Sequence, residues 1–305
     1  MEDLTKPRLD ADRCTGCRLC LEVCPSDVLA LERGKITLAR EGCFGCDHCA
    51  AVCPTGAITI DSVSTGHLAL ATVETGGRWL PFGEFDTALL VRLLYSRRSC
   101  RSFTEEPVGK AVLEDLARIG TMAPSGTNSQ RWSFTIVPDR QALLGFGHRI
   151  ARFYERLNRL AANPAARFLS RLFMKDKLGH YYRRYHDQVE GALRQFNETG
   201  HDKLFHGATA AILVGTEPGA SCPREDALLA AQNIALAAHA MGIGSCLIGF
   251  AVEAMRRDRS IQRALGIPET EDIHAVIALG KPAVTYLRPT GRKPARIRYA
   301  FQNKT

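Results

Sequence analysis

The chain has 305 residues, with 40 Lys and Arg against 32 Asp and Glu and a formal charge of +8. That length provides for a sizeable core and about two domains, and 45% hydrophobic with 24% charged residues is ordinary for a globular protein. No run of about 18 apolar residues occurs, so no membrane-spanning helix is expected; the mixed-charge start MEDLTKPRLD resembles neither a signal nor a transit peptide, which leaves the cytoplasm as the expected location.

Eight of the 11 cysteines fall in the first predicted unit, residues 1–62. In a reducing compartment such clustering points to metal rather than disulfides. The runs Cys14-x2-Cys17-x2-Cys20-x3-Cys24-Pro25 and Cys43-x2-Cys46-x2-Cys49-x3-Cys53-Pro54 are one pattern repeated with an offset of 29 residues, an internal duplication. Two-residue gaps let an amide-rich loop wrap three corners of a cubane, and the thiolate before proline reaches the other cluster. Two [4Fe-4S] clusters are therefore expected, one on Cys14, Cys17, Cys20 and Cys53, the other on Cys43, Cys46, Cys49 and Cys24. Gly16 and Gly45 stand where the loop must approach sulfide closely. Structural zinc could use four cysteines at this gap, but it needs neither a third cysteine in each run nor the Cys-Pro. His48 is expected at the surface beside a cluster. Down to CPTGAI at 53–58, this run resembles the bacterial two-cluster ferredoxin over roughly residues 8–61.

Residues 63–85, rich in Gly and Thr, read as a linker, with a short strand expected at Leu68–Val73. From Asp86 to the C-terminus the pattern is α+β. Helical periodicity begins after Asp86 and recurs over Val108–Ile119; apolar β-rich runs stand at Ser133–Val137, Thr209–Gly215 and Ile273–Leu279; Glu225–Met241 is a long helix buried on most faces. Residues of about 144–205 form a basic, aromatic-studded helical insertion, an amphipathic bundle that packs on the core or a lid. The excess of Lys and Arg lies mainly between Arg140 and Arg194 and after Lys281. It lacks the aromatic-interleaved motif of a nucleic-acid binder, so an anionic cofactor or an acidic protein partner is expected and nucleic acid is not.

Four segments of residues 86–305, in order, resemble the nitroreductase family of FMN enzymes: Ser96–Phe103 (SRRSCRSF), Ala123–Trp132 (APSGTNSQRW), Asp226–Gly249 with its Gly-rich loop, and Ala278–Pro282 (ALGKP) followed by Arg292–Pro294. The resemblance implies a nitroreductase-like FMN-binding α+β domain after the ferredoxin-like one. Arg97, Arg98 and Ser99 would hold the phosphate and ribityl chain, with Arg292 and Lys293 as a second phosphate site. Arg101 would reach the ring and favour its reduced anion; Leu247, Ile248 and Gly249 would line the ring face. Pro124, Ser125 and Asn128 would come from the partner of a homodimer, and Gln130 would point to the ring edge. Arg131 departs from the family's proline before Trp132 and bears on the loop's shape. Cys246, like Cys100 and Cys222, is expected to be a small apolar side chain rather than a nucleophile.

The expected function is an oxidoreductase that takes electrons from a low-potential donor such as a free ferredoxin, through the clusters to FMN, and reduces a small organic acceptor, a nitro compound or enone, by hydride transfer. Two alternatives remain: direct oxidation of NAD(P)H at the flavin, and a non-catalytic electron-transfer or redox-sensing module that docks a larger enzyme.

Overall fold

The computed structural model describes residues 5–63, 66, 69–77 and 79–300. The N-terminal unit is built from β1 (Arg8–Leu9), α1 (Leu19–Glu22), β2 (Leu29–Glu32), β3 (Lys35–Leu38), α2 (His48–Ala51) and β4 (Ile58–Thr59). The sequence duplication becomes an exchange of strands. β1 of the first half pairs antiparallel with β4 of the second, Leu9 opposite Ile58, while β2 pairs with β3, Leu29 opposite Leu38. Adding 29 to one partner and subtracting it from the other turns one pair into the other, so each ribbon borrows a strand from the opposite half. Val28, Leu29, Ile36, Ile58 and Ile60 close a small core between the ribbons.

Gly16 has φ +73°, and a Cβ there would stand 2.6 Å from the Gly34 carbonyl oxygen. Its close approach is thus to the β2–β3 turn, a constraint the sulfide argument did not contain. The strand expected at Leu68–Val73 does not form among the described residues 69–73, and Leu68 itself lies outside them. The backbone N–H groups there go elsewhere. Ala71 N and Thr72 N donate to the buried Asp115 carboxylate at 2.9 and 2.6 Å, and Thr72 Oγ1 does so at 2.6 Å. A chain whose donors are spent on a carboxylate has none left for a ladder.

The larger unit is a four-stranded antiparallel sheet of β5 (Trp132–Val137), β6 (Ala210–Thr216), β7 (Gly244–Leu247) and β8 (Asp272–Gly280), in the order β5-β6-β8-β7. Side-chain alternation along the central strands feeds two cores. Leu213, Val276 and Ala278 face a cluster with Leu143, Phe146, Ile150 and Phe205, while Ile212, Val214 and Ile277 face Leu113, Leu116 and Ile234. The second face is covered by α4 (Lys110–Gly120) and α9 (Pro223–Ala240). The buried stripe of α9 is mostly alanine, which lets its backbone lie close to the sheet, and Gly120 leaves room for the Phe134 ring, 2.8 Å from where a Cβ would be. The first face is covered by α5 (Arg140–Ala162), α10 (Gly249–Arg257) and α11 (Arg259–Arg263).

The helical insertion is present between β5 and β6, starting at Arg140 rather than at about 144: α5, α6 (Pro164–Phe173) and α7 (Lys177–Tyr181), which passes through a π turn at Tyr182–His186 into α8 (Asp187–Thr199). Before the sheet stands α3 (Thr87–Ser96), capped by the Asp86 carboxylate on Ala88 N and Leu89 N.

Candidate functional site

Eight cysteines gather in two groups of four. Cys14, Cys17, Cys20 and Cys53 line one small cavity, and Cys24, Cys43, Cys46 and Cys49 another. The exchange of Cys24 and Cys53 between halves is the same exchange made by the strands. Burial, followed by the neighbouring thiols, raises the Cys20 thiol and pushes Cys49 up to about 11. Burial would also raise Cys53, but hydrogen bonds from the Ala57 N–H (3.2 Å) and the Thr55 hydroxyl outweigh it and hold that thiol low. To hold sulfurs crowded like this as thiolates takes a cationic centre that balances their charge. Among the described residues, no three His, Cys, Asp or Glu groups converge on a point that one ion could occupy; the sulfurs stand around the walls of a cage. Cys17 is exposed at the first cage. His48 is exposed and outside the lining of either.

In the larger unit the Ser96–Phe103 segment runs beside the sheet edge. Ser99 bridges Ser245 of β7, Cys100 N donates to Ser245 O at 2.9 Å, and Phe103 bridges Pro282. This lays Arg97–Arg101 against the β7–α10 junction that carries Leu247, Ile248 and Gly249. Glycines at 244 and 280 make the approach possible: a Cβ at either would stand 2.9 Å from Cys100 or Phe103. Cys100 and Cys246 are buried here, and burial raises the Cys246 thiol, as a packing residue requires.

Arg98 donates to the Thr290 hydroxyl, and Arg292 Nη1 reaches the same hydroxyl at 2.9 Å. The two arginines expected at a phosphate are thus joined through Thr290, which lies 192 residues from Arg98. Arg98 Nε is buried with no partner, a donor left for an acceptor that the protein itself does not supply. Lys293 is exposed beside them. Arg101, Leu247, Ile248 and Gly249 line one cavity of about 1410 Å3, whose other wall is made by the helical insertion and by Lys203–His206. His206, missed in the sequence, stands there at φ +57°; burial, with the charge of Arg101, keeps its imidazole below the usual value.

Pro124, Ser125, Asn128 and Gln130 do not join that cavity within one chain. They sit on a loop after α4 in which Thr127, Asn128 and Gln130 all have positive φ, a cost of about 1 kcal/mol or more each. Several bonds hold it: Asp226 Oδ1 accepts from Gly126 N at 2.9 Å, Ser125 Oγ from Gln130 N at 3.0 Å. Arg131, the departure from the family pattern, ties the loop to Pro218 O at 3.2 Å and to Glu217. Asn128 Nδ2 donates at 2.9 Å to the carbonyl oxygen of Gly45, inside the second cysteine loop.

Residues 94–281 match the nitroreductase family. The chain belongs to that family. Residues 13–58 match the 4Fe-4S dicluster domain. This nitroreductase-family chain is 25% identical over 197 residues to a protein of Archaeoglobus fulgidus named for NADH dehydrogenase/NAD(P)H nitroreductase, covering 63% of this chain and 84% of that one. It is 26% identical over 212 residues to an NADH dehydrogenase of Thermus thermophilus, covering 67% and 89%. A nitroreductase from Bacteroides fragilis, solved with bound FMN, aligns with a TM-score of 0.49 at 22% identity, over 70% of this chain and 99% of that one. The nitroreductase-family chain is an oxidoreductase with a 4Fe-4S domain at its N-terminus, and the reading of it as a non-catalytic module gives way. No described helix is long and apolar enough to cross a membrane.

Proposed function

We propose that the chain is an iron–sulfur flavoprotein that carries electrons from a one-electron donor, a ferredoxin or similar small protein, through two [4Fe-4S] clusters to FMN and on to a small organic acceptor such as a nitro compound or enone. When bound, the clusters pass single electrons and the flavin delivers them in pairs as hydride, which reconciles the two kinds of chemistry. The observation that carries the reading is the Asn128–Gly45 hydrogen bond, which fastens the second cysteine loop to the nitroreductase unit.

The residues fit these groups. Each cage offers four thiols, with Cys53 held below the ordinary thiol value by its amide and hydroxyl neighbours. The exposed Cys17 gives the first cage a face toward a donor, and the second is the one in contact with the nitroreductase unit. Arg98 and Arg292, bridged by Thr290, offer converging charged donors for a phosphate, with Arg97, Ser99 and Lys293 beside them. Arg101 is placed with Leu247–Gly249 on the cavity wall and orients the ring there, while Ile248, buried, backs that wall against the core.

A homodimer belongs to the same proposal. Leu89, Leu90, Leu94 and Tyr95 of α3 are all exposed, no residue of that helix is buried, and Leu228, Leu229 and Leu287 are exposed too. A second copy covering this surface would bring its own Pro124–Gln130 loop to the flavin. The names of the Archaeoglobus and Thermus relatives favour a second reading, in which NAD(P)H donates directly at the flavin.

Anaerobic purification followed by iron, sulfide and flavin assays tests the cofactors, with about eight iron atoms and one FMN per chain expected. Stopped-flow reduction of the flavin by reduced ferredoxin and by NADH then decides the donor. Zinc in place of iron, or a flavin reduced by NADH alone with oxidised clusters untouched, would overturn the first reading.

A further inference from the structure

The large cavity has an uneven charge. Seven Lys and Arg side chains line it against two acids, Asp176 and Glu253. Both acids are already engaged: Asp176 with Arg183 at 2.7 Å, Glu253 with Arg256 and Arg257, each at 2.5 Å. Among the described residues, Arg101, Lys175, Lys177 and Lys203 have no ion-pair partner. Arg101 is accounted for at the flavin. Lys175 and Lys177 line it at the α6–α7 junction, Lys175 on the turn and Lys177 as the first residue of α7.

That turn is built rather than loose. Ser170, buried, accepts Met174 N and Asp176 N on its carbonyl at 2.9 and 3.0 Å, and Leu178 N on its hydroxyl at 3.0 Å. Lys175 and Asp176 take left-handed φ of 50° and 53° within it. The acid of the turn, Asp176, is paired with Arg183 and with neither lysine. Leu160 of α5 and Leu169, Phe173 and Met174 of the segment that leads to them line the same cavity although each exposes more than half of its surface. Apolar side chains that open into a cavity beside unpaired cations match a ligand with an apolar body and an anionic end.

We propose that the acceptor site takes an organic acid with an extended apolar body. The body lies along Leu160, Leu169, Phe173 and Met174, the carboxylate meets Lys175 and Lys177, and the reducible end reaches the Leu247–Gly249 wall. The placement of the reducible end rests on the flavin reading above; the recognition of the acid does not.

The test compares a nitrobiphenyl carboxylate with its methyl ester, binding each to the oxidised, full-length purified protein by isothermal titration calorimetry at low and high salt. The acid is expected to bind at least about tenfold tighter than the ester at low salt, with the advantage shrinking as salt screens it. The double variant Lys175→Ala/Lys177→Ala is expected to remove most of that advantage while leaving the ester's Kd and the flavin content unchanged. A variant in which acid and ester weaken together would mean a damaged turn, and Lys175→Arg/Lys177→Arg must then restore the acid's preference for the proposal to stand. Equal binding of acid and ester to the unaltered protein would overturn the inference and leave the flavin reading intact; protein that purifies anaerobically without flavin and still prefers the acid would overturn the flavin reading and leave the inference intact.

Discussion

Asn128 Nδ2 donates at 2.9 Å to the carbonyl oxygen of Gly45, and through this one bond a residue expected at the flavin holds the backbone of a cysteine loop. Gly45 is buried at φ +70°, and a Cβ there would press on Ser62 Oγ at 3.1 Å and Thr5 Oγ1 at 3.3 Å. The loop therefore cannot easily move to find another partner. Asn128→Leu keeps the side-chain bulk and removes the donor. Flavin reduction by reduced ferredoxin in stopped flow is expected to slow about tenfold, the cost of roughly one lost hydrogen bond in the population of the docked state, with photoreduction of the flavin and iron content unchanged. An unaltered rate would place the electron path elsewhere.

The exchange of cysteines predicts asymmetric losses from symmetric substitutions. Cys53→Ser lies in the second sequence run but belongs to the cage of Cys14, Cys17 and Cys20; Cys24→Ser damages the cage of Cys43, Cys46 and Cys49. Each is expected to lower iron from about eight atoms to about four. Cys24→Ser should also stop the flavin receiving electrons from ferredoxin, because its cage is the one tied to Asn128. Iron analysis with single-turnover kinetics on the two variants checks the assignment.

Arg98 and Arg292 converge on Thr290, and Arg98 Nε is buried without a partner. Arg98→Ala is expected to weaken FMN retention about tenfold to a hundredfold, the range for one lost charge-assisted bond or two. Thr290→Val, which removes the bridging hydroxyl but no charge, should cost several-fold. Flavin released on dilution, followed by fluorescence, measures both; equal retention in all three proteins would move the phosphate elsewhere.

Asp115 fastens residues 69–77 to α4. Burial by itself would raise its pKa, but the hydrogen bonds from Thr72 and Ala71 and the ion pair with Arg118 at 3.2 Å outweigh that, so the folded carboxyl titrates below its ordinary value of 3.8. Such a group stabilises fully above the unfolded value and loses its contribution as pH falls through the folded one. Asp115→Asn is expected to cost about 2–3 kcal/mol near neutrality, since one buried charged acceptor serves four donors. Limited proteolysis within residues 69–77 should accelerate in the variant at pH 7, and the difference from the unaltered chain should narrow as pH falls below about 4. A gap that widens in acid would contradict the sign.

The sequence by itself determined the eight cysteines and their division into two sets of four, because cage chemistry demands fixed spacings along the chain, and it carried the nitroreductase segments in their order. It also carried the central strands and α9, whose burial on the sheet shows as unbroken apolar or alanine-rich stretches. Only the tertiary structure decided that Arg98 and Arg292 share Thr290, that Gly16 yields to Gly34, that residues 71 and 72 serve Asp115 instead of a strand, and that His206, Lys175 and Lys177 open on one cavity. These relations join positions far apart in the chain, and nothing in local periodicity records which distant partner a donor will meet. The physical reason is that spacing is a property of the covalent chain, whereas the closing of charge and hydrogen bonds is settled when the layers pack.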